Sequence, residues 1–257
     1  MKTKAIHFEV SNRIATITLC RPEKLNTVTR AMGEELTRLG QEINCSPDIR
    51  VVVLTGEGSK SFSAGSDMKV LDDYGTPWEL RNREDYCMAI RNIRKPVIAM
   101  INGYAIGGGL ELALHADIRI ASDHAAFGAG EIKWGWISGS GCTQLLPRFV
   151  GAGKAAEMIL TGRVLTAEEA FRYGLVERVV SPDKLKETVY EMAETIAGYS
   201  PIAVESAKLA LRAAMNMPLD AGLQYENSLF SFCFTTEDSK EGKQAFQQKR
   251  KPVFKGK

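Results

Sequence analysis

Lys95-Pro96-Val97-Ile98-Ala99-Met100-Ile101-Asn102-Gly103-Tyr104-Ala105-Ile106-Gly107-Gly108-Gly109-Leu110-Glu111 is the stretch from which the rest of the chain is read. Val97 to Ile101 is a short apolar run of the kind that forms a buried strand. A turn follows, then three glycines, then a helix with a carboxylate on its first turn. Three glycines strip the backbone of side chains, so a ligand can approach the peptide N–H groups. The helix leaves its first N–H groups without intrahelical partners and turns its positive dipole end toward the same place. That suits a carbonyl oxygen that gains negative charge during a reaction. Glu111 adds a proton donor or acceptor beside it.

Upstream, Val51-Val52-Val53-Leu54 is a second continuous apolar run, closed by Thr55-Gly56-Glu57-Gly58, and reads as a fully buried strand. It leads to another glycine-centred segment, Lys60-Ser61-Phe62-Ser63-Ala64-Gly65-Ser66-Asp67-Met68-Lys69. Two loops at the ends of two buried strands can each present one N–H to the same point. Each donor of such a pair is worth roughly 2.7–4 kcal/mol of transition-state stabilisation. Downstream lies Phe127-Gly128-Ala129-Gly130-Glu131-Ile132-Lys133-Trp134-Gly135. There the glycines and aromatics are expected to desolvate Glu131 and raise its pKa into the range of an acid/base catalyst. Two carboxylates near one oxyanion site suit the addition or removal of water across an activated double bond. One holds the water and takes its proton, and the other handles the proton at the α-carbon.

Further strands are expected at Arg13 to Leu19, Asp117 to Ala121 and Val176 to Val180, with helices over Met32 to Ile43, about Pro77 to Ile93, and after Gly109. Thr166-Ala167-Glu168-Glu169 reads as a capping box, with Gly174 ending that helix. Ser181-Pro182 and Ser200-Pro201 each read as a cap followed by a first-turn proline. They precede the apolar stripes Leu185, Val189, Met192, Ala193, Ile196 and Val204, Ala207, Leu211, Ala214. Strand-loop-helix units in succession give an α/β fold, followed from about residue 181 by helices alone. Such a tail packs on the core, on a neighbouring subunit, or on both.

The 257 residues can form one large domain, or one with a smaller appendage. With 44% hydrophobic and 25% charged residues, the composition is that of a soluble globular protein. A net charge of +2 argues against nucleic-acid or membrane partners. Cys20, Cys45, Cys87, Cys142 and Cys233 are scattered and odd in number, which favours free thiols in a reducing, cytoplasmic setting. Met1-Lys2-Thr3-Lys4 leads straight into a strand pattern, so no leader peptide is expected. No apolar run approaches the ~20 residues that span a bilayer. His7, His115 and His124 do not cluster at metal-ligand spacing, so no metal is expected. Gly151-Ala152-Gly153-Lys154 lacks P-loop spacing, and a Gly-x-Ser-x-Gly elbow is absent.

Several segments together resemble the crotonase (enoyl-CoA hydratase/isomerase) superfamily over essentially the full length. They are Arg21-Pro22-Glu23-Lys24-Leu25-Asn26, Phe62 to Asp67, Lys95 to Glu111, Gly139-Ser140-Gly141-Cys142-Thr143-Gln144, and the terminal Glu241-Gly242, Ala245-Phe246 and Lys249-Arg250. The resemblance implies a spiral of ββα units over residues 1–195 and a helical trimerisation region over 196–257. It implies that the N–H groups of Ser66 and Gly108 bind the thioester oxygen of an acyl-coenzyme A. Glu111 and Glu131 fall where hydratases carry both acid/base glutamates. The resemblance also places Ala64, Asp67, Met68 and Gly139 along the substrate, and Lys60, Lys69 and Lys249 near the coenzyme A phosphates, the last from a neighbouring subunit. The expected activity is that of a hydro-lyase, as in fatty-acid metabolism, interconverting a 2-enoyl-CoA and a 3-hydroxyacyl-CoA. The expected assembly is a homotrimer or a dimer of trimers, and no cofactor is needed beyond the coenzyme A of the substrate. The alternatives are an enoyl-CoA isomerase, a dehydratase of an unusual (carnitinyl-CoA-like) acyl group, or a non-catalytic RNA binder. The chain departs from the family pattern at Gly130, usually proline, and at Cys142, where a glycine N–H often helps to position the water. Trp134 and Trp136 are bulkier than the usual aliphatics, and core packing is their simplest expected role.

Overall fold

The computed structural model of the chain describes residues 5–71 and 74–257, so the reading of Met1 to Lys4 lies outside the described residues. In chain order the elements are β1 (Ile6–Ser11), β2 (Ile14–Leu19), α1 (Arg30–Cys45), β3 (Val51–Gly56), β4 (Ser61–Ser63), α2 (Met68–Leu71), α3 (Pro77–Arg81) and α4 (Tyr86–Arg91). Then come β5 (Val97–Ile101), β6 (Tyr104–Ile106), α5 (Gly108–His115), β7 (Ile118–Ser122), β8 (Ala126–Gly128), α6 (Cys142–Val150) and α7 (Ala152–Thr161). The chain continues through β9 (Val164–Thr166), α8 (Ala167–Arg172), β10 (Arg178–Val180), α9 (Pro182–Ala197), α10 (Pro201–Ala214), α11 (Leu219–Phe234) and α12 (Glu237–Gln247).

The continuous apolar runs become the middle of a sheet ordered β1-β2-β3-β5-β7-β10. β3 is buried at every position, and its parallel neighbours β2 and β5 nearly so. Three-residue strands form a second sheet, β4-β6-β8-β9. Three times in succession the chain lays a strand in the large sheet, a short one in the small sheet, and then enters helix. These are β3-β4-α2, β5-β6-α5 and β7-β8-α6. This is the ββα spiral, and it repeatedly delivers the end of a small-sheet strand and the start of a helix to one region.

The stretch expected as one helix from Pro77 to Ile93 is two, α3 and α4. Asp85 breaks it, because its carboxylate accepts the N–H groups of Cys87 and Met88 and so caps a new helix. The strand expected at Asp117 to Ala121 runs one residue later, because the Asp117 carboxylate turns back to the N–H of Val97 (2.7 Å). The Thr166–Glu169 capping box is present in full. Ser200 caps α10, whereas the Ser181 hydroxyl makes no cap bond to α9.

The apolar stripe of α9 packs on the large sheet, with Leu185, Val189 and Ala193 in a second core beside Val51, Val53, Ile98 and Ile120. The stripe expected for α10 does not behave the same way. Its buried positions are Ser206, Lys208 and Ala213, while Leu211 is 72% exposed. Polar groups fasten this helix instead. Lys208 Nζ reaches Asp117 (2.5 Å) and the Lys95 carbonyl (2.7 Å), and Arg50 donates to the carbonyls of Ala197, Tyr199 and Phe254. A cavity of about 480 Å³ lies between α10, α11 and α12, among Tyr199, Phe230, Phe234 and Phe254. Among the described residues, no helix is long and apolar enough to cross a membrane.

Candidate active site

The first glycine loop is held by the segment that precedes α1. Asn26 is fully buried and donates to the carbonyls of Glu57 and Ser61 (3.0 and 2.7 Å). Ser63 Oγ donates to the Asn26 carbonyl, and Ala64 N–H to that of Leu25. The Arg21 guanidinium pairs with Asp67 (2.9 Å) and lowers the pKa of that carboxyl. Asp67 is therefore committed to its own loop through its side chain. Val28 N–H donates to the Gly65 carbonyl, and Asp67 N–H to that of Val28. Because successive peptide groups alternate in direction, the Ser66 N–H between them points away from this bridge.

The second loop comes up against the first. Gly107 has φ +57°, which favours glycine, and its N–H donates to the Gly128 carbonyl. Gly108 opens α5, so its N–H has no intrahelical acceptor. A Cβ built on Gly65 would lie 2.7 Å from the Gly108 nitrogen, and one on Gly109 would lie 1.9 Å from the Ser63 carbonyl oxygen. The two loops expected to share an oxyanion are thus packed backbone to backbone. Position 108 is closed by a residue the sequence did not single out: a Cβ there would stand 2.0 Å from the Tyr86 hydroxyl. That hydroxyl is 3.0 Å from Ser66 Oγ, and burial pushes the phenol well above its ordinary pKa.

Glu111 is 4% exposed. Its Oε1 accepts the N–H of Ser140 at 2.7 Å and of Cys142 at 3.2 Å, the latter at the start of α6. Burial raises its pKa to about 7; those two N–H groups oppose the rise, and the charges of Glu131 and Asp85 add to it. Such a carboxyl can both take and give a proton near neutrality. The N–H of Cys142 is therefore engaged by Glu111, and burial raises the pKa of its thiol well above the ordinary value.

Glu131 is half-buried in a short 3-10 turn directly after β8 and Gly130. A Cβ built on Gly107 would be 3.5 Å from its Oε1, so the carboxylate sits at the start of α5. Its Oε2 is buried and has no hydrogen-bond partner among the described residues, an acceptor left unsatisfied by the chain's own groups. The aromatics expected to enclose it face outward: Trp134 is 68% and Trp136 40% exposed, so neither packs in the core. At Gly130 a Cβ would meet nothing within 4 Å, so sterics do not demand glycine there.

The remaining candidates are spread around this centre. Ala64 is half-buried beside the first loop, Met68 is half exposed in α2, and Lys60 and Lys69 are exposed at the loop's two ends. Gly139 is exposed, and its carbonyl accepts from Arg83 (3.3 Å), which also reaches Ser140 Oγ (3.2 Å). Lys249 lies beyond α12, exposed, with φ +52°. The neighbouring Arg250 pairs with Glu241 and, with the Val253 N–H, pulls that carboxyl down to about 2. Tyr86, Arg83 and His115 all touch the central loops and carry no sequence signal beyond lying near the glycine motifs.

The family model described as enoyl-CoA hydratase/isomerase matches residues 9–257. The chain belongs to that family. It is 43% identical to the (E)-benzylidenesuccinyl-CoA hydratase of Thauera aromatica, the match covering 98% of this chain and 99% of that protein. It is 36% identical to the crotonyl-CoA hydratase of Syntrophomonas wolfei, with 99% of each covered. Among solved structures, the enoyl-CoA hydratase of Bacillus anthracis superposes with a TM-score of 0.92 at 40% identity, over 99% of this chain and 100% of that one. The two glycine loops, the two carboxylates and the spiral are thus features of an enoyl-CoA hydratase/isomerase family member.

Proposed function

We propose that the chain is an enoyl-CoA hydratase, a hydro-lyase that adds water reversibly to a 2-enoyl-CoA to give a 3-hydroxyacyl-CoA. The thioester oxygen sits between the N–H groups of Ser66 and Gly108, which stabilise the enolate formed when oxygen adds at C3. Glu111 and Glu131 flank the water. One takes its proton, and a proton is delivered to C2 from the same face, so atoms and charge balance without a cofactor. The observation that carries this reading is the pair of carboxylates. Glu111 is poised near 7, and Glu131 beside it keeps a buried oxygen without a partner among the described residues. An isomerase needs only one carboxylate. Ala64, Asp67, Met68 and Gly139 line the substrate's path, and Lys60 and Lys69 face the coenzyme A phosphates.

The working form in this proposal is a homotrimer or a dimer of trimers in the cytoplasm, assembled through residues 196–257, with Lys249 reaching the coenzyme A of a neighbouring subunit. Support comes from α11, in which no residue is buried, and from exposed Leu219, Leu223, Phe230, Phe232 and Phe246. Conjugated enoyl-thioester absorbance tests the activity. Crotonyl-CoA and a panel of longer, branched and aryl-bearing enoyl-CoA thioesters should lose it on addition of the protein. An unchanged spectrum with every thioester would overturn the assignment.

A further inference from the structure

His115 lies one helical turn after Glu111 on α5, and the two side chains grip the same loop. Glu111 Oε1 accepts the Ser140 N–H, and His115 Nε2 stands 2.7 Å from the Ser140 carbonyl oxygen. A carbonyl only accepts, so Nε2 carries the hydrogen, and the neutral imidazole is the Nε2–H tautomer. Its Nδ1 is then a bare acceptor, buried and without a partner among the described residues. The residue is 6% exposed, and burial lowers its pKa, which keeps it neutral. Gly141, next in the loop, has φ +132°, and a Cβ there would come within 3.1 Å of His115 Nε2. The loop therefore passes this point as glycine, close against the ring.

We propose that His115 is a positioning residue: by holding the Ser140 carbonyl it keeps the N–H groups of Ser140 and Cys142 on Glu111. Two consecutive peptide groups are fixed by two side chains of one helix, so their spacing is set by the helical repeat. Without the imidazole, Gly141 lets the loop turn and Glu111 loses donors that favour its ionised form. Glu111 also faces Glu131 and Asp85, with the Cys87 and Cys142 thiols and the Tyr86 phenol nearby. Around His115 stand Asp85, Arg91 and Arg212. None of these supplies the Ser140 carbonyl with a donor among the described residues.

The inference rests on Glu111 ionising during turnover, so its test reads Glu111 with and without catalysis. Full-length His115→Leu, His115→Asn and His115→Gln are compared with the parent. The glutamine amide can reach the Ser140 carbonyl, whereas the asparagine amide is too short. The infrared band of the protonated Glu111 carboxyl, identified by its loss in Glu111→Gln, is titrated in the free protein, and kcat and KM for crotonyl-CoA are followed against pH. The leucine and asparagine variants should move the Glu111 midpoint upward from about 7 and lower kcat on the order of tenfold, with KM little changed. Glutamine should recover most of both. If leucine does not fold, asparagine against glutamine carries the comparison. A moved midpoint with unchanged kcat keeps the tether and removes Glu111 from catalysis. If Glu111→Gln abolishes turnover while the His115 variants move neither reading, or glutamine is no better than asparagine, the tether is wrong and the hydratase reading stands.

Discussion

Helices α5 and α11 are both rich in apolar side chains, and the chain covers only one of them. In α5 every residue from Gly109 to His115 is buried, and the two polar side chains among them, Glu111 and His115, are bonded to the loop before α6. In α11, sixteen residues long, none is buried, and Phe230 and Phe234 contact each other at 5.6 Å between ring centres while remaining more than half exposed. The first helix packs its polar side chains into the candidate site of its own chain. The second leaves its apolar side chains uncovered by the chain itself, the kind of surface that the proposed assembly would bury. Substitutions in α5 should therefore act on chemistry at any protein concentration, and substitutions in α11 should act on assembly.

The largest effect is expected at the first residue of α5. In Gly108→Val the new side chain meets the Tyr86 hydroxyl and Gly65 Cα, which would displace the N–H from the proposed oxyanion site. Turnover should fall about 10³-fold for every acyl-CoA tried, the upper end for losing one oxyanion donor. Pairing Gly108→Ala with Tyr86→Phe tests which obstacle matters. Recovery in the double variant would show that Tyr86, not the substrate, is what a Cβ strikes. Near-normal turnover in Gly108→Val would remove this loop from the site.

Glu111→Gln and Glu131→Gln should each lower hydration by at least ~10²-fold, with the thioester still bound. Near-normal turnover in Glu131→Gln on every substrate would favour a single-base, isomerase-like reaction. Glu111 has a second consequence. Its pKa is raised from 4.5 to about 7 in the folded chain, so folding binds a proton between those values. Its contribution to stability is full below about 4.5 and is lost as pH rises through about 7. The ionised carboxylate thus costs about 3 kcal/mol at pH 8, an order of magnitude taken from the shift. Glu111→Gln should raise Tm at pH 8 more than at pH 5, so activity and stability move in opposite directions. Equal changes at the two pH values would mean that the carboxyl is not strained in the native state.

The tail tests the other half of the comparison. The full chain at micromolar concentration should scatter light as an oligomer, and Phe230→Ser with Phe234→Ser should shift it to smaller species. Deleting Pro201 to Lys257 also takes away Lys208 from Asp117 and the Phe254 carbonyl from Arg50, and should leave a poorly soluble core. A well-behaved monomer for the full chain would contradict assembly through α11.

The same contrast governs what could be read from the sequence. Val51 to Leu54 and Val97 to Ile101 announced themselves because both faces of those strands are covered by the chain's own helices, so apolar runs and burial coincide. The strands of the small sheet are three residues long, too short for any period to register, and the glycines beside them signalled the site instead. In α10 the apolar stripe was legible but its burial was not, because Leu211 faces away from the chain and buried Lys208 is held by Asp117. Glu111 and Glu131 could be found because carboxylates beside glycine loops are unusual. Tyr86 and His115 could not, since their importance lies in contacts across the fold, with Gly108 and Ser140, that no spacing encodes.

The smallest effect is expected one residue from the heart of the first loop. Ser66 contributes its N–H to the proposed oxyanion site, and alanine keeps that N–H and the extended backbone around it. What Ser66→Ala removes is the hydroxyl, whose partner is the Tyr86 hydroxyl at 3.0 Å. Losing one neutral hydrogen bond at the edge of the site should change kcat by no more than about threefold, with KM near the parent's. The value of the variant lies in its contrast with Gly108→Val. Both alter residues that offer a backbone donor, but only the glycine substitution puts an atom where the loops and Tyr86 already touch. A severe loss in Ser66→Ala with a tolerated Gly108→Val would mean that the serine oxygen itself attacks or transfers a proton. The site would then have to be rebuilt around a hydroxyl instead of two peptide N–H groups.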